Sequence, residues 1–287
     1  MGESEKTQLE VSKAPRLFGL HADPSKTLRV ALALLPFLIL IGVYLIASEV
    51  RHRQNPDDKV IPTVAKMAKA IELVAFTEDK RTGKYLLWED TFASVKRLGL
   101  GIGAAAVAAL FTGLNMGLFP GLRSLSLAFV TFISIVPPLA ILPILFITFG
   151  VEELAKVVLI FIGTFPVITR GVYLATLKLP AEQISKALTL GASQLAVAYR
   201  IVLPQIMPCL IDSTRLSLGS AWLFLIAAEA IASTDGLGYR IYLVRRYLSM
   251  DVIIPYVVWI TFLGFVSDRL LQAWISMRYS WYLVSKE

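Results

Sequence analysis

Two long stretches without a charged side chain constrain this sequence more than any other feature. One runs from Leu98 to Leu122 and the next from Ser124 to Val151. A helix needs about 20 apolar residues to cross the hydrocarbon layer of a bilayer, so each stretch is long enough. The composition agrees, because 56% of the residues are hydrophobic and only 17% are charged, whereas an average soluble domain has about 25% charged residues. The sequence therefore predicts an all-α, polytopic membrane protein.

Apolar runs of spanning length recur along the chain. Six transmembrane helices are expected, near residues 28–47, 98–118, 126–149, 155–177, 214–234 and 252–274. The second carries Gly113 and Gly117 at the spacing that lets two helices approach closely in lipid. The third contains Pro137 and Pro138, which should break or kink it and are candidates for a gate. The fourth carries Arg170 towards one end, from where a long side chain can reach the headgroups.

Basic residues suggest which side of the membrane each end faces. The net charge of +7 is scattered between apolar runs and forms no stripe, which favours lipid headgroups over nucleic acid as the partner. Lysine and arginine are enriched in the tails and between the fourth and fifth runs, so the positive-inside rule places both termini in the cytoplasm. The ten basic residues of the segment 48–97 oppose this assignment. The expected location is a bacterial cytoplasmic (inner) membrane, crossed several times.

A shorter pattern lies between the first two runs. Val64, Met67, Ile71 and Val74 recur at helical spacing within residues 60–76, which predicts an amphipathic helix on the extracytoplasmic side. It is expected either to lie on the membrane surface or to pack on the ends of the other helices.

The residue types and motifs of the chain provide little evidence for a metal site or a nucleotide-binding site. Cys209 is the only cysteine and His21 and His52 are the only histidines, which excludes an intrachain disulfide and a Cys/His metal site. The sequence contains no G-x-x-x-x-G-K-[ST] phosphate loop. We expect no cofactor in this chain and no enzymatic activity, so any ATP-driven work needs a partner.

The segment 178–212 joins two apolar runs but is too long for a simple connector, which needs about 2 to 8 residues. Pro180 and Glu182 indicate the start of a helix. Gly191 permits a sharp turn, and Ser193 is suited to cap a second, short helix. A cytoplasmic helical hairpin with an apolar surface is predicted, able to enter a groove on a partner.

The same segment, "SKALTLGASQLAVAYRIVLP", resembles the signature loop of ATP-binding-cassette importer permeases, E-A-A-x3-G-x9-I-x-L-P. The matching positions are Ala187, Gly191, Ile201, Leu203 and Pro204. Ser185 and Lys186 stand where the pattern has Glu and Ala. The stretches "IVPPLAILPILFITFG" and "GASQLAVAYRIVLPQIMPCLIDSTRLSLGSAWLFLIAAEAIASTDGLGYRI" resemble the nitrate, sulfonate, taurine and bicarbonate branch of these permeases.

The resemblance implies a type I importer permease domain at residues 28–278, between a cytoplasmic N-terminal tail (1–27) and C-terminal tail (279–287). It implies a second permease copy in a homodimer, two ATPase subunits that bind ATP and Mg²⁺, and an extracytoplasmic binding protein. The residues implied in coupling to the ATPase are Ala187, Leu188, Gly191, Ala192, Ser193, Ile201, Leu203 and Pro204. The implied solute is nitrate, a sulfonate or taurine, or bicarbonate.

Two alternatives stay open at this point. The same machinery could import a small nitrogen compound such as guanidine or urea. A self-contained secondary transporter or channel would instead show inverted repeats with matched broken helices, and none is apparent in the sequence.

Glu229 interrupts the fifth run, where an acid is costly and usually faces a pathway or a paired cation. It is either a pathway residue or a structural carboxylate paired with Arg215 or Arg240. Trp222 is expected either to pack between helices or to stack on solute. With Pro137 and Pro138, these two residues are the candidates for the translocation pathway or its gate.

Overall fold

The computed structural model describes residues 25–55, 58–80 and 83–284, and within these ranges the regular structure is entirely helical. Nearly all of the N-terminal tail predicted for residues 1–27 lies outside them. The α-helices are α1 (Lys26–Gln54), α2 (Val64–Ile71), α3 (Leu86–Leu118), α4 (Pro120–Ile135), α5 (Leu142–Phe149), α6 (Glu153–Leu177), α7 (Ala181–Thr189), α8 (Gln194–Ala196), α9 (Leu203–Leu216), α10 (Leu218–Ile231), α11 (Leu237–Arg245), α12 (Met250–Arg278) and α13 (Ser280–Val284). Two π-helical turns, Glu72–Phe76 and Val197–Val202, and one 3₁₀ turn, Pro138–Ile141, complete the set.

The first compact unit ends at Thr63 and contains α1. The Ser25 side chain accepts a hydrogen bond from the Leu28 amide at 3.4 Å and so caps the start of the helix. The Tyr44 hydroxyl donates to the Pro62 carbonyl at 2.7 Å, which holds the segment after α1 against its own helix. Helix α1 covers the whole first apolar run.

The second unit, which begins at Val64, is built on the contact between α3 and α6. A Cβ added at Gly101 would meet Ile160, at Gly113 it would meet Val172, and at Gly117 it would meet Thr176, each within 3 Å. In all three pairs the partner's number exceeds the glycine's by the same amount, so the two helices run parallel. The close approach predicted for Gly113 and Gly117 is confirmed.

Helices α9, α10 and α12 pack around this parallel pair and close the core. Most of its buried apolar residues come from α3, α6, α9 and α10, among them Leu98, Ala105, Ile168, Val172, Ile206 and Leu225. The outer faces are apolar and exposed, as at Leu125 and Ile147. A helix with apolar residues on all sides is expected where its surroundings are lipid or another helix.

The predicted break at the two prolines is confirmed, since α4 and the following pair of helical segments meet at an angle of 84°. Proline disfavours the α conformation in the residue before it. Val136 precedes Pro137 and Pro137 precedes Pro138, and both have extended ψ values, 122° and 116°. The chain therefore leaves the helix for two residues before it re-enters one.

Among the described residues, five helices are long and apolar enough to cross a membrane, or six if the bent pair is one span. The region predicted as the fifth span, 214–234, is not one helix, because the chain breaks at Ser217 between α9 and α10. Helix α10 has only 14 residues. The stretch of spanning length is instead Gln194–Leu216, so the second helix of the hairpin, which was predicted to be short, is long.

The amphipathic segment predicted for 60–76 contains α2 and the π turn that follows it. Ala70 and Ala75 are buried, and the Trp88 indole donates to the Ala75 carbonyl at 3.1 Å. Met67 and Trp259 line one apolar cavity between α2 and α12. One face of the segment thus packs on neighbouring helices, while Phe76 and other apolar side chains are exposed.

Candidate functional site

Two candidate functional regions lie at opposite ends of α6. A cluster of ionised side chains surrounds its first residue, Glu153, and the helical hairpin follows its last residue, Leu177. Helix α6 has 25 residues and rises about 37 Å at 1.5 Å per residue. This exceeds the hydrocarbon thickness of a bilayer, about 30 Å, so the helix can separate the two regions by one membrane.

Arg97 is the centre of the first region, called here the polar cluster: Asp90, Ser94, Arg97, Glu153, Lys156, Glu229, Asp235 and Arg240. Arg97 is 1% exposed and uses all five N–H donors of its guanidinium. It donates to both oxygens of Glu153, to Glu229 Oε1 at 2.8 Å, and to the carboxylate and carbonyl of Asp235. A buried charge this fully satisfied holds three separate parts of the chain together.

Glu229 is fully buried and its carboxylate accepts three kinds of donor. Besides Arg97, the Ser94 hydroxyl donates to it at 2.8 and 2.9 Å, and the Gly238 amide donates at 2.9 Å. The prediction that a structural Glu229 pairs with Arg215 or Arg240 is wrong. Arg215 pairs with Asp268 instead, at 3.0 Å. Hydrogen bonds from every side are the environment of a structural carboxylate.

Asp90 ties the other side of the polar cluster to α11 and α12. It accepts from the Gly236 amide at 3.0 Å, from Arg240 Nε at 2.8 Å and from the Tyr256 hydroxyl at 3.2 Å. Gly236 has φ +111°, and a Cβ there would lie 2.5 Å from the Glu229 carboxyl. The turn that begins α11 therefore needs glycine at this position.

Sequence reasoning found Glu229 but missed the residues that α3 contributes to the polar cluster. Asp90, Ser94 and Arg97 are spaced by four and three residues, which places them on one face of a helix. Because the predicted span started at Leu98, these residues were assigned to the polar segment before it. The helix in fact begins at Leu86, and a polar stripe leading into an apolar run was the available signal.

The hairpin turns at Gly191. The Ala192 amide donates to the Ala187 carbonyl and the Gly191 amide to the Leu188 carbonyl, both at 3.0 Å. These two bonds, with Gly191 at φ +86°, form a Schellman motif, in which a left-handed residue satisfies the last carbonyls of a helix. The sharp turn predicted for this glycine is confirmed.

Ser193 begins the second helix of the hairpin, since its hydroxyl accepts from the Ala196 amide at 3.2 Å. The inner face of the hairpin packs on the core through Ala187, Ala192, Ile201 and Leu203. The outer face is apolar and open: Leu188 is 43%, Leu190 88% and Leu195 66% exposed. The hairpin residues thus form two groups, those that pack on the core and those that form an exposed apolar surface.

Pro204 stands inside the continuous helical stretch from Gln194 to Leu216 and is exposed. A proline in a helix lacks an N–H and clashes with the carbonyl four residues earlier. The π turn Val197–Val202 lies directly before it. A wider turn at this point provides the room that the ring requires.

The remaining pathway candidates lie apart from the hairpin. Pro137 and Pro138 form the break between α4 and α5. Trp222 lies on α10 two turns before Glu229 and is 6% exposed, with its indole Nε1 near Gly264 of α12. Trp222 is therefore a packed aromatic in this structure. Over the described residues, no group of His, Cys, Asp and Glu is arranged to hold a metal ion.

Comparison with known proteins identifies the kind of chain this is. Residues 100–279 match the family described as binding-protein-dependent transport system inner membrane component. The chain belongs to this family. The match starts inside α3 and takes in the whole hairpin, both helices of the bent pair and Glu229.

Proteins that are similar to this chain are also described as transport permeases. The chain is 35% identical over 184 residues to a probable ABC transporter permease protein of Brucella melitensis, which covers 64% of this chain and 75% of that protein. It is 32% identical to a taurine transport system permease protein of Escherichia coli, over 65% and 68% of the two chains. A bicarbonate transport system permease protein of Synechococcus elongatus is 28% identical, over 71% and 74%. The family member is thus a membrane-spanning transport component and not an enzyme.

The fold is also found in a solved structure. The methionine ABC transporter MetNI in an inward-facing conformation matches with a TM-score of 0.55 and 20% identity, over 68% of this chain and 98% of that chain. The importer-permease fold predicted from the sequence is confirmed.

Proposed function

We propose that this chain is the membrane subunit of an ATP-driven importer and forms the path for a small oxyanion. A separate ATPase supplies the energy, and an extracytoplasmic binding protein delivers the solute. The observation that carries the proposal is the hairpin, which presents an apolar outer face on a rigid, capped turn. A transport component with such a face is suited to dock into a groove on a motor subunit.

The hairpin supports this role because its geometry is fixed on both sides. The Schellman turn at Gly191 and the cap at Ser193 hold the two helices in one arrangement, and the inner face is anchored on the core. Movement imposed on Leu188 or Leu190 is then passed to α9 and α6 as a rigid-body displacement. Ser185 and Lys186, which differ from the family pattern, lie on exposed positions of α7.

The oxyanion assignment is supported by the relatives whose names give a solute, taurine and bicarbonate. A sulfonate, nitrate or bicarbonate carries a delocalised negative charge on oxygen atoms, which guanidinium groups recognise well. Glu229 does not oppose such a solute, since its charge is buried and paired with Arg97. Guanidine or urea would instead need exposed acceptors.

Orientation follows from the position of the motor. With the hairpin in the cytoplasm, the polar cluster lies at the extracytoplasmic end of α6 and both termini lie in the cytoplasm. One hairpin serves one ATPase, so we propose a homodimer of this chain over two ATPase subunits. The last helix, α13, then begins the cytoplasmic tail.

The test is co-purification of the tagged chain with co-expressed candidate ATPase subunits, followed by ATP hydrolysis in lipid vesicles with the loaded binding protein. Leu190→Glu places a charge on the most exposed hairpin side chain and should abolish co-purification. Val151→Glu, at the other end of α6 and 58% exposed, is the matched control and should leave it intact. Co-purification of both variants alike would refute docking through the hairpin.

A self-contained carrier makes the opposite prediction. In that case, vesicles that contain only the purified chain would accumulate solute when an ion gradient is imposed, with no ATPase present. The proposal requires that the chain alone transports nothing.

A further inference from the structure

A cavity of about 200 Å³ lies between α4 and α6, and its lining is partly polar. Thr131 and Ser134 line it from α4, and Arg170 and Tyr173 line it from α6. Each pair is three residues apart and so lies on one face of its helix. Ser134 is three residues before Pro137, which places the cavity beside the break in the bent pair.

The Arg170 side chain is exposed and makes no hydrogen bond or ion pair with any residue that the structure describes, unlike that of Arg97 in the polar cluster. Arg123, nearby in the fold, is also occupied: it donates to the carbonyls of Met116 and Gly117 at 3.1 and 3.0 Å, and its guanidinium lies 5.7 Å from the centre of the Tyr173 ring. A charged side chain in an apolar span is costly and usually marks a solute path. The positive charge of Arg170 is therefore available to bind a ligand.

The lining selects for an anion. None of the described residues that line the cavity is acidic. The Thr131 and Tyr173 hydroxyls add possible donors, while Ser134 already donates to the Thr131 carbonyl at 2.6 Å. A guanidinium matches the geometry of paired anionic oxygens. The volume is below the roughly 300 to 1,000 Å³ of sites for drug-sized ligands, so it suits a small solute.

We propose that the Arg170 cavity binds the oxyanion group of the solute in transit, as a specificity site next to the break at Pro137. The proposal rests on the proposed function. Arg170 lies seven residues before the end of α6, about 10 Å along its axis, on the side of the hairpin. The site therefore lies nearer the hairpin end of α6 than the polar cluster does.

A lipid phosphate would satisfy the same guanidinium, as expected if Arg170 reached the headgroups. The two sources share one chemistry, an oxyanion, and differ in whether free solute competes. We commit to the solute, and the experiment separates the two.

The experiment uses the single cysteine of the chain. Cys209→Ser gives a cysteine-free background, in which Ser134→Cys places a thiol in the cavity and Thr148→Cys, on α5, is the control. Both full-length chains, in phosphatidylcholine vesicles, are treated with methanethiosulfonates that carry either a sulfonate or a trimethylammonium group. The anionic reagent should react with the thiol at position 134 at least about fivefold faster than the cationic one, the factor for one unit charge at roughly 4 Å in water. At position 148 the two rates should be similar.

Arg170→Gln should remove the preference at position 134, and Arg170→Lys should retain part of it. Taurine and bicarbonate should slow the anionic reagent in the Arg170 protein, and glycerol should not. A missing anion preference at position 134 with Arg170 present would overturn the proposal, whether or not the Arg170 variants fold. Slowing by added phosphatidylglycerol, with none by taurine or bicarbonate, would overturn it in favour of a lipid headgroup.

The proposed function is judged separately by ATPase co-purification. Failure of the labelling test with intact co-purification would remove the Arg170 site and leave the importer. If no ATPase co-purifies but solute protects the thiol at position 134, the anion site stands and the proposal of an ATP-driven importer does not.

Discussion

Arg97 of α3 donates to Glu229 of α10 across 2.8 Å, and neither side chain is more than 1% exposed. The two residues are 132 positions apart in the chain. Removing one partner of a buried ion pair leaves a charge without compensation, which costs about 3–5 kcal/mol. The pair is therefore expected to hold the end of the bundle together.

Arg97→Gln should lower the free energy of unfolding by about that amount, 3–5 kcal/mol, because Glu229 stays buried without its cation. Thermal unfolding of the detergent-solubilised chain, followed by tryptophan fluorescence, measures the loss. Arg53→Gln is the control, since Arg53 pairs with Glu49 on the surface and such pairs contribute little. If both variants unfold at the temperature of the native chain, the Arg97–Glu229 pair does not stabilise the fold.

Glu229→Gln distinguishes a structural carboxylate from a pathway group. The amide can still accept from Ser94 and Gly238, and Arg97 keeps Glu153 and Asp235, so we expect a smaller loss of stability than for Arg97→Gln. Solute uptake per folded transporter, in vesicles with the complete complex, should stay close to native. A stable variant with abolished uptake would show that the charge of Glu229 acts on the solute.

Gly113→Ala should push α3 away from α6, because its Cβ would lie 2.8 Å from the Thr169 carbonyl and from Val172 Cβ. Overpacking of this kind costs about 1–3 kcal/mol. Gly103→Ala, ten residues earlier on α3 and with nothing within 4 Å of the added Cβ, is the matched control. Thermal unfolding should separate the two variants, and equal midpoints would argue against a tight contact.

Gly191→Ala tests the turn of the hairpin without a steric clash, since no atom of the described residues lies within 4 Å of the added Cβ. Its φ of +86° alone should cost about 1–2 kcal/mol. We expect the chain to fold, and ATP hydrolysis by the assembled transporter to respond less to the loaded binding protein. Gly99→Ala, a helical glycine with equal space, should leave the response unchanged. An unaltered response in Gly191→Ala would show that the turn is dispensable for coupling.

Local signals were sufficient for much of the architecture. The apolar runs predicted most of the long helices, the proline pair predicted a break or kink, which the structure shows as a bend of 84°, and the spacing of Gly113 and Gly117 predicted a close helix contact. Gly191 and Ser193 predicted a turn and a cap. Each of these depends on the conformational limits of residues a few positions apart, which are written directly in the sequence.

The break at Ser217 was not predicted, because the polar residues before it, such as Asp212 and Arg215, and Gly219 after it are all compatible with a continuous helix. Where a helix ends in such a sequence is decided by what packs on it. The same applies to Trp222, whose burial depends on contact with α12.

The sequence by itself determined that the chain is helical, apolar and bent at Pro137, since these follow from hydrophobic periodicity and backbone sterics. Only the tertiary structure decided that Glu229 pairs with Arg97 and that the Arg170 side chain lines a cavity without a partner among the described residues. Both facts depend on which helix faces reach one another across the bundle, and that is set by packing between residues far apart in the chain.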